Sequence, residues 1–265
     1  MFIFKSPSDL DGKSNNKWLI DRLLPESSTC LVAGDPKTRK SWLAGELLVS
    51  IATGTDCLGI FPVLRQGKVL MAQGEDSEAI IKDRLESIAR TRGASLKGLQ
   101  NVSIVAGQNF ALDNPEHFEA LRRQVIAEKP LLMILDPLVR LIPDTAEGST
   151  SQMSKILTKL RHLQRDSGTS IMLVHHNKVS KSKNAADNIR GSSDLRSWYD
   201  AAYFLTKANN LITQVELEFK AFQEQPSLFF ELKALNGGLA PMALTAKDSQ
   251  DETEFRNLEE NKNKS

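Results

Sequence analysis

The sequence predicts an α/β fold: a mostly parallel central sheet covered by helices on both faces, with antiparallel strands added toward the C-terminus. Three observations carry this expectation. Short continuous apolar runs alternate with amphipathic stretches of helical period, the pattern of strands buried on both faces and joined by helical crossovers. The loop GDPKTRKS joins one such run to a helical stretch. After about residue 200 the helical stretches stop, and β-rich runs follow one another through polar turns.

In chain order, TCLVAG (29–34) reads as a buried strand and KSWLAGELLVSIAT (40–53) as a helix. KVLMAQ (68–73) is a strand followed by the helix SEAIIKDRLESIARTRG, and NVSIVA (101–106) a strand followed by a helix around PEHFEALRRQVIAEK. LLMILD (131–136) precedes the helix STSQMSKILTKLRHLQRDSG, and SIMLVHH (170–176) is the next strand. AAYFLTK, LITQVELEFKAF and SLFFELKAL are separated by KANN and QEQPS, which predicts antiparallel strands at the sheet edge. Residues 1–246 are expected to form one domain, with 1–28 as a lead-in and 200–246 as a β-rich extension. Residues 247–265 are charged and poor in apolar side chains, and read as a disordered tail or frayed helix.

Composition narrows the function classes. The 265 residues carry 34 basic and 33 acidic side chains, a formal net charge of +1, so polyanion binding needs local basic patches, not a global field. Cys30 and Cys57 lie in or near apolar stretches and read as small core residues, which excludes a disulfide framework. No apolar run has the length of a membrane span, and the N-terminus lacks the pattern of a signal peptide. A cytoplasmic protein without a membrane partner is expected.

The loop from Gly34 to Trp42, GDPKTRKSW, nearly spells G-x-x-x-x-G-K-[ST]. In that motif the loop amides and a helix N-terminus cradle phosphates, the lysine meets the β/γ-phosphates and the hydroxyl meets Mg²⁺. Gly34, Asp35, Pro36, Lys37, Thr38, Arg39, Lys40, Ser41 and Trp42 are the candidate nucleotide-binding residues, with ATP and Mg²⁺ as ligands. Arg39 stands where the second glycine belongs. If the backbone there is left-handed, the strain is about 1–2 kcal/mol. The side chain either points outward or adds a cation beside the phosphates. A degenerate loop without hydrolysis is the competing reading. Trp42 is expected to pack under the phosphate site, and Trp18 to anchor the core.

Asp136 ends an apolar strand and is a candidate Mg²⁺ ligand together with Ser41. Pro137 follows it, so a catalytic carboxylate must come from elsewhere. Glu75, at the end of the neighbouring strand, is the candidate general base. The alternative is that Glu75 and Asp76 merely favour the dipole of the helix starting near Ser77. His175, His176 and Lys178 follow a further strand and are candidates for contact with the γ-phosphate. Zinc ligation is the rival for the histidine pair, though no cluster with metal-ligand spacing accompanies it. The stretch 177–190 is polar and basic, with Lys178, Lys181, Lys183 and Arg190. It reads either as a solvated loop or as a loop that touches nucleic-acid phosphates. Arg190 is a candidate arginine finger toward a neighbouring subunit.

Taken together, KWLIDRLLP, GDPKTRKSW, GEDSEAIIKDRL, LLMILDPL, LVHHNK and RGSSDLRSWYDAAYFL resemble, in order, the RecA-like P-loop ATPases of the RepA-type, AAA_25-like group of hexameric replicative helicases. The resemblance implies a RecA-like core, a homo-oligomeric ring with ATP between subunits, and single-stranded DNA as a partner. It assigns Glu75 as the catalytic glutamate, Asp136 as the Walker B aspartate, His176 or His175 as the sensor, and Lys178 and Arg190 as trans-acting fingers. Asp200 stands where a second arginine is expected. Two function classes follow: a DNA motor driven by ATP hydrolysis, or a nucleotide-binding assembly module with weak or no turnover.

Overall fold

The computed structural model describes residues 6–9, 17–106, 110–143, 150–176 and 193–245. Two short strands, β1 (Trp18–Ile20) and β2 (Leu24–Pro25), form an antiparallel pair ahead of the main sheet. The main sheet contains β3 (Thr29–Gly34), β4 (Val69–Gln73), β5 (Val102–Ala106), β6 (Leu132–Asp136), β7 (Ser170–His176), β8 (Ala201–Lys207), β9 (Ile212–Phe219), β10 (Leu228–Leu235) and β11 (Gly238–Ala243). Their order is β11-β10-β9-β8-β3-β7-β6-β4-β5. The strands from β8 to β5 in that order pair in parallel, and β9, β10 and β11 continue the sheet antiparallel.

The crossovers are α1 (Lys40–Thr53), α2 (Glu78–Thr91), α3 (Pro115–Glu128), α4 (Thr150–Ser167) and the short α5 (Ser193–Trp198). Local chemistry sets their starts. Ser77 caps α2 by accepting from the Ile80 amide. Asn114 caps α3 by accepting from the Glu116 and His117 amides at 2.9 and 3.2 Å, with Pro115 at the first helical position. α1 is apolar almost all round because it is wedged between the sheet and α2.

Strand alternation sorts the core into two layers. Cys30, Val32, Val69, Met71, Leu132, Ile134, Met172 and Val174 face α1 and α2. Leu31, Ala33, Leu70, Ala72, Met133, Leu135, Ile171 and Leu173 face α3 and α4. Cys30 and Cys57 are both buried, and burial pushes the Cys30 thiol up to about 12. Trp18 is half-buried and packs on Phe222 and Phe219, with ring centroids 3.9 and 5.3 Å away.

The expected strands and helices of the core are present to within a residue or two. The direction of one strand and the presence of another differ from expectation. AAYFLTK is not an antiparallel addition: as β8 it lies parallel to β3 and only its partner β9 reverses. The helix α5 supplies the crossover that a parallel strand needs. The strand β11 was not anticipated, although Asn236-Gly237, at φ 52° and 73°, is the kind of dipeptide that closes a two-residue hairpin. The stretch 177–190, with Lys178, Lys181, Lys183 and Arg190, and the tail 247–265 lie outside the described residues.

Asp200 explains why an acid stands just before β8. Its carboxylate accepts from the Thr29 amide and hydroxyl, both at 2.9 Å, and from Arg161 at 2.6 Å. Arg161 also donates to the Trp198 carbonyl. One carboxylate thereby joins the start of β3 to α4 and the end of α5. Loss of that acceptor strands a buried amide and a cation, at an expected cost of about 2–3 kcal/mol. Asp200→Ala is therefore expected to lower stability in denaturant unfolding by that amount. Asp200→Asn, which keeps an acceptor for Thr29, should lose less.

Candidate phosphate-binding site at the strand ends

The loop between β3 and α1 begins at Gly34 because nothing larger fits. A Cβ there would stand 2.5 Å from the Leu205 carbonyl oxygen and 2.9 Å from Thr38 Oγ1. Asp35, Pro36 and Lys37 are exposed, and Thr38 is buried with its hydroxyl donating to the Asp35 carbonyl at 2.8 Å. Lys37 and Arg39 both adopt left-handed backbone, at φ 64° and 67°.

Arg39 resolves the question its position raises. Its backbone is left-handed, the conformation a glycine would take without strain. Its side chain points away from the loop, donating to Thr213 Oγ1 and the Asn210 carbonyl, each at 2.8 Å. The guanidinium thus ties the phosphate loop to the β8–β9 hairpin. Both of these partners lie in that hairpin, outside the phosphate loop.

Lys40 turns the other way. It is 5% exposed, and its ammonium donates to the carbonyls of Gly34 at 2.9 Å and Asp35 at 2.7 Å. Burial lowers its pKa to about 8, against the pull of Asp136, Asp35 and Glu75.

Three strands present their last side chains on the α1 face, beside this loop. Gln73, Asp136 and His176 share strand parity with Met71, Ile134 and Val174 of the core layer facing α1. Asp136 is 2% exposed and accepts from Gln73 Nε2 at 3.3 Å, with the Ser41 hydroxyl close enough to favour its charged form. Burial raises its pKa to about 6, although Ser41, Arg84 and Lys40 favour the carboxylate. Glu75 is half-exposed, with Oε2 3.7 Å from His176 Nε2. Burial, followed by the Lys40 cation, lowers the His176 pKa, so at neutral pH the ring is uncharged and that contact is not an ion pair. His175 points to the opposite face of the sheet, as the period of two requires. The structure therefore brings together Gly34, Lys40, Ser41, Glu75, Asp136 and His176, and separates His175 from them.

Two further residues join the site. Gln73 bridges Asp136 and the turn that carries Glu75; its signal in the sequence is a polar residue at the inward end of an apolar strand. Arg84 of α2 donates to Asp76 at 2.8 Å and lies over the Trp42 ring at 5.7 Å. Trp42 itself is half-buried against the core layer that faces α1 and α2.

The donor set fits a magnesium nucleotide. A buried ammonium and a buried carboxylate, each with its charged form disfavoured, lie within electrostatic reach of each other near the start of α1. A polyanion would restore the first and a hard divalent cation held by oxygen ligands the second. Ser41 and Asp136 would hold Mg²⁺, which when bound would neutralise phosphate charge.

A family model described as an AAA domain, AAA_25, matches residues 8–182, more than half of the chain. The chain belongs to this AAA domain family. Solved structures share its architecture. One, described as an ATPase domain, is 16% identical with a TM-score of 0.60, over 81% of this chain and 85% of that one. A KaiC-like protein from the hyperthermophilic archaeon Pyrococcus horikoshii OT3 is 14% identical with a TM-score of 0.58, over 84% and 93%. A DnaB-like replicative helicase, solved for its interactions with primase, is 14% identical with a TM-score of 0.64, over 81% of this chain and 57% of that one. At these identities the likeness is one of fold. This AAA-family chain has the RecA-like ATPase architecture.

Substitutions at two residues of this site have expected outcomes. Arg39→Gly relieves a left-handed residue of about 1 kcal/mol and loses two hydrogen bonds of similar worth, so thermal stability and nucleotide affinity should stay close to wild type. Arg39→Ala keeps the strain and loses the bonds, and should be destabilised by about 1–2 kcal/mol. For Asp136, folding raises the pKa from 3.8 to about 6. Its contribution to stability is therefore full below the unfolded value and lost as pH rises through 6. Above that pH the buried charge costs up to about 3 kcal/mol, so Asp136→Asn should melt higher than wild type at pH 7 without ligand. The same variant should lose magnesium-dependent nucleotide binding, and in the wild type that binding, followed by calorimetry, should weaken as pH falls through 6.

Proposed function

We propose that this chain binds ATP with Mg²⁺ on the Gly34–Ser41 loop and hydrolyses it, as a subunit of a ring that acts on single-stranded DNA. The observation that carries the proposal is the convergence of Lys40, Ser41, Asp136, Glu75 and His176 at the carboxyl ends of adjacent strands, where open α/β sheets bind ligands.

The roles follow from position. The loop amides and the N-terminus of α1 favour the phosphates, and Lys40 exchanges the Gly34 and Asp35 carbonyls for phosphate oxygens. Ser41 and Asp136 hold the cation. Glu75, half-exposed beside the loop, takes a proton from water as general base. His176, uncharged and next to Glu75, meets the terminal phosphate and can report its loss. The DNA role is supported by the fold shared with a DnaB-like replicative helicase. Lys178 and Arg190 are the proposed trans-acting groups.

A second reading, a nucleotide-dependent assembly module with slow turnover, is favoured by one observation. Arg39 stands at the position of the motif's second glycine in left-handed backbone, with its side chain committed to the β8–β9 hairpin.

Turnover with and without single-stranded DNA, alongside sizing with and without ATP, separates the readings. Lys40→Ala should abolish nucleotide binding. Glu75→Gln should bind normally and lose about 10²-fold or more in turnover. Turnover of Glu75→Gln equal to wild type would reassign the base. A wild type that assembles with ATP but turns over slowly, with or without DNA, would select the second reading.

A further inference from the structure

Gln73 is the last residue of β4 and 4% exposed, in a strand whose other residues are Val, Leu, Met and Ala. A buried carboxamide is costly unless its donor and acceptor are both used. Both are used, and on functional neighbours. Nε2 donates to Asp136 Oδ2 at 3.3 Å. Oε1 accepts from the backbone amides of Glu75 at 2.9 Å and Asp76 at 3.4 Å.

The neighbours also decide which way the carboxamide faces. The ionised carboxylate can only accept and the two backbone amides can only donate, so a flipped side chain would set like against like at both ends. The register fixes the distance, because Gln73 stands opposite Asp136 in the parallel pairing of β4 with β6. The turn beyond is equally constrained. The Gly74 amide donates to the Asp136 carbonyl at 2.9 Å, and a Cβ at Gly74 would lie 2.7 Å from Arg140 Cβ.

The Glu75 side chain, by contrast, is half-exposed, and its contact with His176 is longer than a hydrogen bond. Its position comes from its backbone, and its backbone is held by Gln73.

We propose that Gln73 is a positioning residue for hydrolysis: it locks the backbone bearing Glu75 to the carboxylate of Asp136, so that the base and the cation-binding acid keep one spacing. The proposal rests on the reading of Glu75 as general base. Gln73 makes none of the contacts assigned to the phosphates, so its loss should reach turnover and spare binding.

The test compares the wild type, Gln73→Leu and Gln73→Glu in the full chain. Turnover, calorimetric Kd for ADP with magnesium, and melting temperature are measured for each. Gln73→Leu has similar bulk and no hydrogen bonds. It is expected to lose about 10- to 100-fold in kcat, the scale of a misplaced catalytic group, with Kd changed less than about threefold. Gln73→Glu keeps the acceptor for the Glu75 amide but sets a second carboxylate against Asp136, so its kcat should fall at least as far as that of Gln73→Leu. A kcat for Gln73→Leu within about twofold of wild type overturns the positioning role while leaving Glu75 as base. Parallel losses of kcat, affinity and melting temperature also overturn it, in favour of a structural carboxamide. If the wild type binds nucleotide but never turns over, even with single-stranded DNA, the hydrolytic reading fails and this role with it.

Discussion

The site depends on the register of parallel strands. Gly34 stands opposite His176, and Gln73 opposite Asp136, so the strands that bear them end beside one loop. A slip of one residue in any of them would turn its terminal side chain to the α3–α4 face. The register is held by apolar side chains on both faces of the sheet, a stronger constraint than one buried face could give. Asp200 adds a polar anchor at the opposite end, where it receives the Thr29 amide as β3 begins.

Within that frame the protein treats two kinds of buried charge differently. Glu46 and Arg92 form an ion pair between α1 and the end of α2, with the Leu58 amide donating to the same carboxylate at 2.6 Å. Burial pushes the Glu46 pKa up while Arg92 opposes it, and the partners are supplied by the fold itself. Lys40 and Asp136 are buried as well, but their charged forms are left disfavoured. The first arrangement joins two helices. The second holds back stabilisation that a bound anion and cation would complete, which is how a site becomes less stable than its surroundings.

The helices and parallel strands of the core were legible because apolar runs and helical periodicity are local signals. The phosphate loop was legible because its spacing is a local motif. Arg39 was half legible: its left-handed backbone follows from the glycine it replaces, but its outward direction depends on Thr213 and Asn210, more than 170 residues away. Asp200 read as a missing arginine and proved to be an acceptor for β3 and α4. The parallel direction of β8 was hidden because a strand's direction is set by its crossover, here the six-residue α5. Gln73 carried a faint signal, a carboxamide in an apolar strand, whose meaning needed the neighbouring strand.

By itself the sequence determined the order of the core strands and helices, the spacing of the phosphate-loop motif and the candidate acids and histidines, because each is written in contiguous residues. The tertiary structure alone decided which histidine faces the loop, where the Arg39 guanidinium goes, and that one buried carboxamide joins Asp136 to the turn of Glu75. Those are matters of strand parity and of contacts between distant residues, and pairing across the sheet is what creates both.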